Sequence, residues 1–119
     1  MESIIPMFFR MEGFLRLYHW RTRSYARHKA SDEAIGHVVE SMDRIVETLL
    51  GHTSRDTLIL PDFQVSYVTS NDTQIVKELQ AFTEFLNGWN TFIPSSDILN
   101  LRDDLVGHIR QVLYLMTLD

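Results

Sequence analysis

Apolar side chains along this chain of 119 residues recur at three- and four-residue steps in four segments, a spacing typical of helices with one buried face. The first segment runs from about Ile5 to Arg21, and the second ends at Leu50. The third begins near Thr73, and the fourth follows Pro94. The pattern therefore predicts four amphipathic helices. The residues expected on their inner faces are Phe8, Phe9, Met11, Phe14, Leu15, Tyr18, Ala34, Ile35, Val38, Val39, Met42, Ile45, Val46, Leu49, Ile75, Val76, Leu79, Phe82, Phe85, Leu86, Trp89, Ile98, Leu101, Leu105, Ile109, Val112 and Met116.

Two serines are candidate N-terminal caps of the second helix, because both Ser24 and Ser31 precede helix-compatible runs. With Ser24 as the cap, His28 lies on the helix and aligns with Asp32, four residues later. With Ser31 as the cap, His28 lies in the preceding loop. Ser24 is the favoured choice. The corresponding candidates before the third and fourth helices are Asn71 or Asp72 and Ser95 or Ser96.

Residues 52–72 interrupt the helical spacing with β-branched and aromatic runs at 57–61 and 63–68. Two short extended runs cannot build a stable sheet, so the pattern predicts a long crossover, extended in part. The other two connections are short, which favours antiparallel helix pairs. The predicted fold is all-α, a ferritin-like four-helix bundle with one long crossover between helices 2 and 3, in a single domain spanning 1–119.

Composition narrows the classes of protein that this chain can represent. The net charge of −5 disfavours adhesion to nucleic acid, which requires clustered cations. The absence of cysteine excludes disulfides, thiolate catalysis and cysteine-based metal sites. No apolar run approaches the length of a membrane span, and the N-terminal residues lack the pattern of a signal peptide. We therefore expect a cytoplasmic, intracellular protein with neither a membrane nor nucleic acid as its partner.

Five potential metal ligands lie in the first half of the chain: His19, His28, Asp32, Asp43 and Glu47. His28 and Asp32 are four residues apart, as are Asp43 and Glu47, so each pair projects from one helix face. Two imidazoles and three carboxylates form the mixture that iron or manganese accepts in octahedral sites. Zinc also accepts these donors, as a structural bridge without redox chemistry.

The order of these residues resembles the miniferritins, also called Dps proteins. That family has a His-Trp pair near the end of its first helix, as in His19-Trp20 here. A His with an Asp four residues later follows at the start of the second helix, and an Asp-x-x-x-Glu pair comes further along it. The resemblance covers about residues 14–50 and extends weakly to 95–118, where the run from Ser96 to Arg102 is similar to the family's last helix.

The resemblance implies a ferroxidase that oxidises Fe(II) with peroxide or O₂ at a di-iron site between subunits and stores the ferric mineral. One chain would supply His19, His28 and Asp32, and its two-fold partner Asp43 and Glu47. It also implies a homo-oligomer, at least a two-fold dimer and by likeness a dodecameric shell. The competing interpretation is a non-catalytic four-helix homo-oligomeric interaction protein, whose acids and histidines are surface decoration.

The remaining polar residues carry weaker expectations. His108 lies four residues after Asp104, which predicts a surface ion pair on the fourth helix. His37 is six residues before Asp43 and is expected to point away from it. A basic stretch around Tyr25 is expected to be solvated or to face a dimer partner rather than nucleic acid. The cations of this stretch are Arg21, Arg23, Arg27 and Lys29. If the protein stores iron in a cavity, the candidate carboxylates that line it are Glu40, Asp103 and Asp104.

Overall fold

Four α-helices account for most of residues 3–65 and 71–118, the part of the chain that the computed structural model describes. They are α1 (Ile4–Arg21), α2 (Tyr25–His52), α3 (Asp72–Asn87) and α4 (Ser96–Leu115), with short 3₁₀ helices at Arg55–Thr57 and Gly88–Thr91. The all-α prediction is confirmed. Within the described ranges, no helix combines the length and apolarity that a bilayer crossing requires.

The N-terminal ends of α2 and α3 are fixed by side-chain caps. The Ser24 hydroxyl accepts a hydrogen bond from the Arg27 amide at 3.2 Å, so Ser24 rather than Ser31 begins α2. The side-chain oxygen of Asn71 accepts hydrogen bonds from the two amides that open α3. The cap at Ser24 rather than Ser31 lengthens α2 by seven residues, about two turns, and places His28 on the helix. The helix then continues past Leu50, its predicted end, to His52.

Two contacts between helix ends define the path of the chain. The Tyr18 hydroxyl donates to Asp72 at 2.6 Å, so α3 begins beside the end of α1. His52 lies 2.9 Å from Asp97, so α4 begins beside the end of α2. The chain therefore runs along α1 and returns along α2, α3 begins again at the end of the bundle where α2 began, and α4 runs back from the end of α3. The single long crossover between the second and third helices is confirmed, and it makes α2 and α3 parallel.

The core lies between these helices, with α2 packed mainly against α1 and α4. Aromatic side chains fill the end of the bundle opposite the α1–α2 turn, where Phe8 meets Phe82 edge to face at 5.4 Å and Trp89 is fully buried. The buried Arg102 joins α4 to the turn after α3 by donating to the Leu86 carbonyl oxygen at 2.6 Å and to Asn90 at 2.7 Å. These partners satisfy a charge that would otherwise be costly to bury.

The first half of the crossover folds back along α1. Phe63 stacks on Phe9 with ring centroids 6.1 Å apart and planes 18° from parallel. Phe9 was expected on the inner face of its helix and is instead 42% exposed, covered in part by the crossover. The predicted extended run 57–61 begins in the 3₁₀ turn and continues without regular structure, and the run 63–68 falls partly on 66–70, outside the described residues.

Candidate metal site at the helical hairpin

Two histidines join the end of α1 to the start of α2. The rings of His19 and His28 stack with centroids 3.8 Å apart and planes 18° from parallel. Nδ1 of His19 lies 3.0 Å from the His28 carbonyl oxygen, and Nδ1 of His28 lies 2.9 Å from the His19 carbonyl oxygen. The fully buried Ser31 hydroxyl donates to the same His28 carbonyl at 3.0 Å. We call this reciprocal pair of hydrogen bonds the histidine clasp.

The clasp fixes the tautomer of both rings. A carbonyl oxygen only accepts hydrogen bonds, so each Nδ1 must carry the proton and donate it. In the neutral rings each Nε2 is then unprotonated, with its lone pair available. Histidines that bind metals are commonly held in this way, by a hydrogen bond from the other ring nitrogen to a backbone carbonyl or carboxylate. The clasp therefore prepares two nitrogen ligands.

The three predicted carboxylate ligands lie on the solvent face of α2. Asp32, Asp43 and Glu47 are all exposed, and none forms an ion pair or hydrogen bond with another described residue. At 3.6 residues per turn, they fall within about 100° of His28 around the helix. A single face of α2 thus carries four of the five predicted ligands, with His19 beside it.

These five residues do not converge within one chain. His28 and Asp43 are 15 residues apart, which separates them by roughly 22 Å along the helix axis. Among the residues that the structure describes, no three His, Asp or Glu side chains are grouped closely enough to hold a metal ion. One chain brings His19 and His28 together and leaves Asp32 nearby on the same face, while Asp43 and Glu47 lie further along α2.

The surface around the clasp is aromatic and basic. Trp20 is 70% exposed and Tyr25 is 73% exposed, on either side of the turn between α1 and α2. The Lys29 ammonium lies over the Tyr25 ring, 5.6 Å from its centroid. An open groove of about 490 Å³ borders Asp32 but neither histidine. Its lining residues are Ala26, Lys29, Ala30, Asp32, Glu33, Leu115 and Leu118.

A hydrogen-bonded network behind the clasp ties the hairpin to α3. The Tyr18 hydroxyl donates to Asp72 and accepts from Arg27 at 3.1 Å, and Arg27 also donates to the Asp72 carbonyl oxygen. Burial raises the pKa of Tyr18, and the hydrogen bond to Asp72 raises it further. The tyrosine therefore stays neutral and keeps the hairpin anchored well above neutral pH.

The other three histidines also make contacts between helices, which the sequence spacing did not predict. His37 of α2 stacks on His108 of α4 with centroids 3.7 Å apart and planes 12° from parallel. The expected contact of His108 with Asp104 is present at 3.6 Å. No periodicity within one helix signals the His37–His108 stack, because it depends on how α2 and α4 are aligned.

His52 and Asp97 join the far ends of α2 and α4, opposite the hairpin. The hydrogen bond from His52, followed by smaller contributions that include the Ile98 amide, lowers the pKa of Asp97 below its ordinary value. Both side chains are largely exposed. This contact joins the C-terminal end of α2 to the N-terminal end of α4, and it lies at the other end of α2 from the histidine clasp.

Comparisons with known proteins place the chain in a family and give it no activity. Residues 19–116 match the model of a family described as "Family of unknown function (DUF5856)". The chain is also similar to an uncharacterized 14.6 kDa protein encoded in the mobD-ri intergenic region of Enterobacteria phage T4. The two are 25% identical over 119 residues, which cover 99% of this chain and 88% of the phage protein. No solved structure matches the chain.

The resemblance to the miniferritins is therefore wrong as a family assignment, because no ferritin-like family model matches. The signal behind it was a set of four-residue steps on one helix, and any α-helix with a polar face can carry such steps. The matched segment includes the histidine clasp, the carboxylates of α2 and all of α3. The chain belongs to the family of unknown function DUF5856.

Proposed function

We propose that the protein is a homodimeric ferroxidase, binding ferrous iron at two equivalent sites between its subunits. One chain would supply His19, His28 and Asp32 to each site, and its partner Asp43 and Glu47. The histidine clasp carries this proposal, because it holds two imidazoles side by side with each Nδ1 at a backbone carbonyl oxygen, which leaves the Nε2 atoms to bind a metal.

The spacing of the two ligand groups along α2 supports a shared site. His28 and Asp32 are centred 15 residues before Asp43 and Glu47. A two-fold axis crossing the exposed face of α2 halfway between them, near His37, would pack two α2 helices antiparallel. Each histidine group would then lie opposite the partner's carboxylate pair, since an isologous interface repeats every contact twice. A dimer of this kind holds two identical sites.

The donors fit ferrous iron and its oxidation. Carboxylate oxygens dominate the set, and two imidazoles complete it, a combination that iron accepts. Two ferrous ions each give one electron to one hydrogen peroxide molecule, whose O–O bond breaks. With two protons from solvent, the products are two ferric ions and two waters. With dioxygen as the oxidant, the same electrons and protons yield hydrogen peroxide.

The test is ferrous oxidation by the purified protein. Ferrous iron is added without oxygen, peroxide is then admitted, and ferric absorbance is followed. We expect fast oxidation that the pair Asp43→Asn and Glu47→Gln abolishes. The matched control is Glu33→Gln with Glu84→Gln, which removes the same charge from exposed positions of α2 and α3. Equal loss in both pairs would mean that only net charge matters and would remove the proposal.

Mixing two inactive variants tests the placement between subunits. One chain carries His28→Gln and Asp32→Asn, and the other carries Asp43→Asn and Glu47→Gln. Random pairing makes half of the dimers mixed, and one of the two sites in each mixed dimer is intact. We expect the mixture to recover about a quarter of the native activity. A mixture that stays inactive would remove the shared site, because the two ligand groups lie about 22 Å apart within one chain.

A different result would favour the competing function. If the chain dimerises but neither binds iron nor oxidises it, the non-catalytic interaction protein remains. Tight zinc binding without ferrous oxidation would instead indicate a structural metal bridge, since zinc has no redox chemistry.

A further inference from the structure

The two ends of the bundle differ in charge and in exposed apolar surface. The α1–α2 hairpin carries exposed Arg21 and Arg23 beside Trp20 and Tyr25, and no Asp or Glu occurs between Glu12 and Asp32. We call Trp20, Arg21, Arg23 and Tyr25 the hairpin surface. In a chain with a net charge of −5, this hairpin carries positive charge.

The segment after α2 has the complementary character. It carries exposed Asp56 and Asp62, whose two negative charges outnumber the one positive charge of exposed Arg55, together with Ile59 at 75% and Leu58 at 43% exposure. The 3₁₀ turn at Arg55–Thr57 and the Phe63–Phe9 stack hold this segment in place. We call Asp56, Leu58, Ile59 and Asp62 the post-helix surface.

We propose that the hairpin surface of one chain docks on the post-helix surface of a second copy. The inference rests on the proposed dimer and identifies what flanks its metal sites. Trp, Tyr and Arg are the side chains that contribute most to binding when they are buried at an interface. Arg21 and Arg23 would face Asp56 and Asp62, so the contact is attractive in charge as well as apolar.

The fold allows this contact only between chains. The two surfaces lie at opposite ends of a molecule whose longest dimension is 44 Å. Tyr25 is 12 residues before His37, and Leu49 is 12 residues after it. A two-fold axis near His37 therefore brings the hairpin of one chain level with the end of α2 and the following segment of the other. Two such contacts would enclose the central carboxylates and histidines, one at each end.

Cysteine cross-linking tests this register directly, because the native chain contains no cysteine. One preparation carries Arg23→Cys and another Ile59→Cys, both at exposed positions. After equimolar mixing, a short bismaleimide should link the two variants as a covalent heterodimer. Each variant alone should give no covalent dimer. The matched control is Phe92→Cys, which is 56% exposed at the same end but precedes α4, and it should not link to Arg23→Cys.

A disruptive substitution provides a second measurement. Ile59→Asp should weaken dimerisation by about tenfold or more in sedimentation experiments, because it places a charge in the apolar contact. Phe92→Asp should leave dimerisation unchanged. The proposed contact would be overturned if Ile59→Asp and Phe92→Asp weakened dimerisation equally, or if the mixed cysteine variants gave no heterodimer. It would also be overturned if Arg23→Cys alone gave a covalent dimer.

Iron uptake by the same preparations separates this proposal from the proposed function. A heterodimer that forms with the expected linkage but takes up no iron supports the docking surfaces and removes the ferroxidase. If the cysteine variants form no covalent heterodimer and Ile59→Asp still dimerises and oxidises iron, the docking surfaces are removed and the metal site remains.

Discussion

The protein contains two stacked histidine pairs that look alike as rings and differ in what holds them. His19 and His28 stack at 3.8 Å, and His37 and His108 stack at 3.7 Å. In the first pair both Nδ1 atoms bind backbone carbonyls of the opposite helix. In the second pair the charged neighbour of a ring is an exposed carboxylate, Asp104, which lies 3.6 Å from Nε2 of His108.

This difference decides which pair can prepare a ligand set. A backbone carbonyl is fixed by its helix and leaves no choice of tautomer, so Nε2 is presented unprotonated. A surface carboxylate attracts a protonated ring instead, and Asp104 lies at Nε2 of His108, the atom that a metal would need. Stacking alone therefore does not identify a candidate metal site. The hydrogen-bond acceptor of Nδ1 distinguishes the two pairs, because it decides whether Nε2 is available to a metal.

The largest expected effect is on ferrous oxidation. His28→Gln should lower the rate by at least about tenfold, since even the loss of an outer-shell partner commonly costs about 10–100-fold. His37→Gln should leave the rate within about twofold of native, because its ring contacts His108 rather than a carbonyl of the hairpin. Stopped-flow ferric absorbance measures both. Similar losses in the two variants would mean that the pairs are equivalent and would break the comparison.

The second effect is on the free energy of unfolding. His28→Ala should cost about 1–2 kcal/mol, since it removes a hydrogen bond to the His19 carbonyl and the stacked partner of His19. His37→Ala should cost less than about 1 kcal/mol, because only the stacking contact is lost. Urea unfolding followed by circular dichroism gives both values, and a larger cost for His37→Ala would reverse the expected order.

The sequence predicted the elements that carry the site better than the contacts within it. The apolar spacing, the cap at Ser24 and the long crossover are local signals, and each was confirmed by the structure. The alignment of His28 with Asp32 also follows from one helix. The clasp could not be predicted in this way, because its acceptors are backbone carbonyls, which carry no sequence signal of their own.

Contacts between separate helices were missed for a related reason. His37 was expected to point away from Asp43 because six residues do not bring two side chains to the same helix face. That spacing gave no indication that His37 stacks on His108 of α4. The position of that neighbour depends on how two helices pack along their lengths. The proposed convergence of Asp43 and Glu47 with the clasp is harder still to predict, since it would require a second chain. The family assignment failed because it took this last step from spacing alone.

The third effect concerns acid stability and the contact between His52 and Asp97. The pKa of Asp97 is lowered by the hydrogen bond from His52, so the folded state favours the carboxylate. This stabilisation is present above the unfolded pKa and is lost as the pH falls through the folded value, below about pH 4. Asp97→Asn should therefore flatten the acid limb of the stability profile. Urea midpoints between about pH 6 and pH 3 measure it, and an unchanged slope would contradict the assignment.

The smallest effect is expected for Asp104→Asn, at the carboxylate beside the second histidine pair. Asp104 is largely exposed and lies 3.6 Å from His108, and surface pairs of this kind contribute about 0–1 kcal/mol. The change should alter the free energy of unfolding by less than about 0.5 kcal/mol, because solvent screens an exposed pair of this kind. The stack itself should persist, since it joins His37 and His108 through their rings. If Asp104→Asn destabilised the protein as much as His28→Ala, the carboxylate would be holding its ring as firmly as the carbonyls hold theirs, and the distinction between the two pairs would fail.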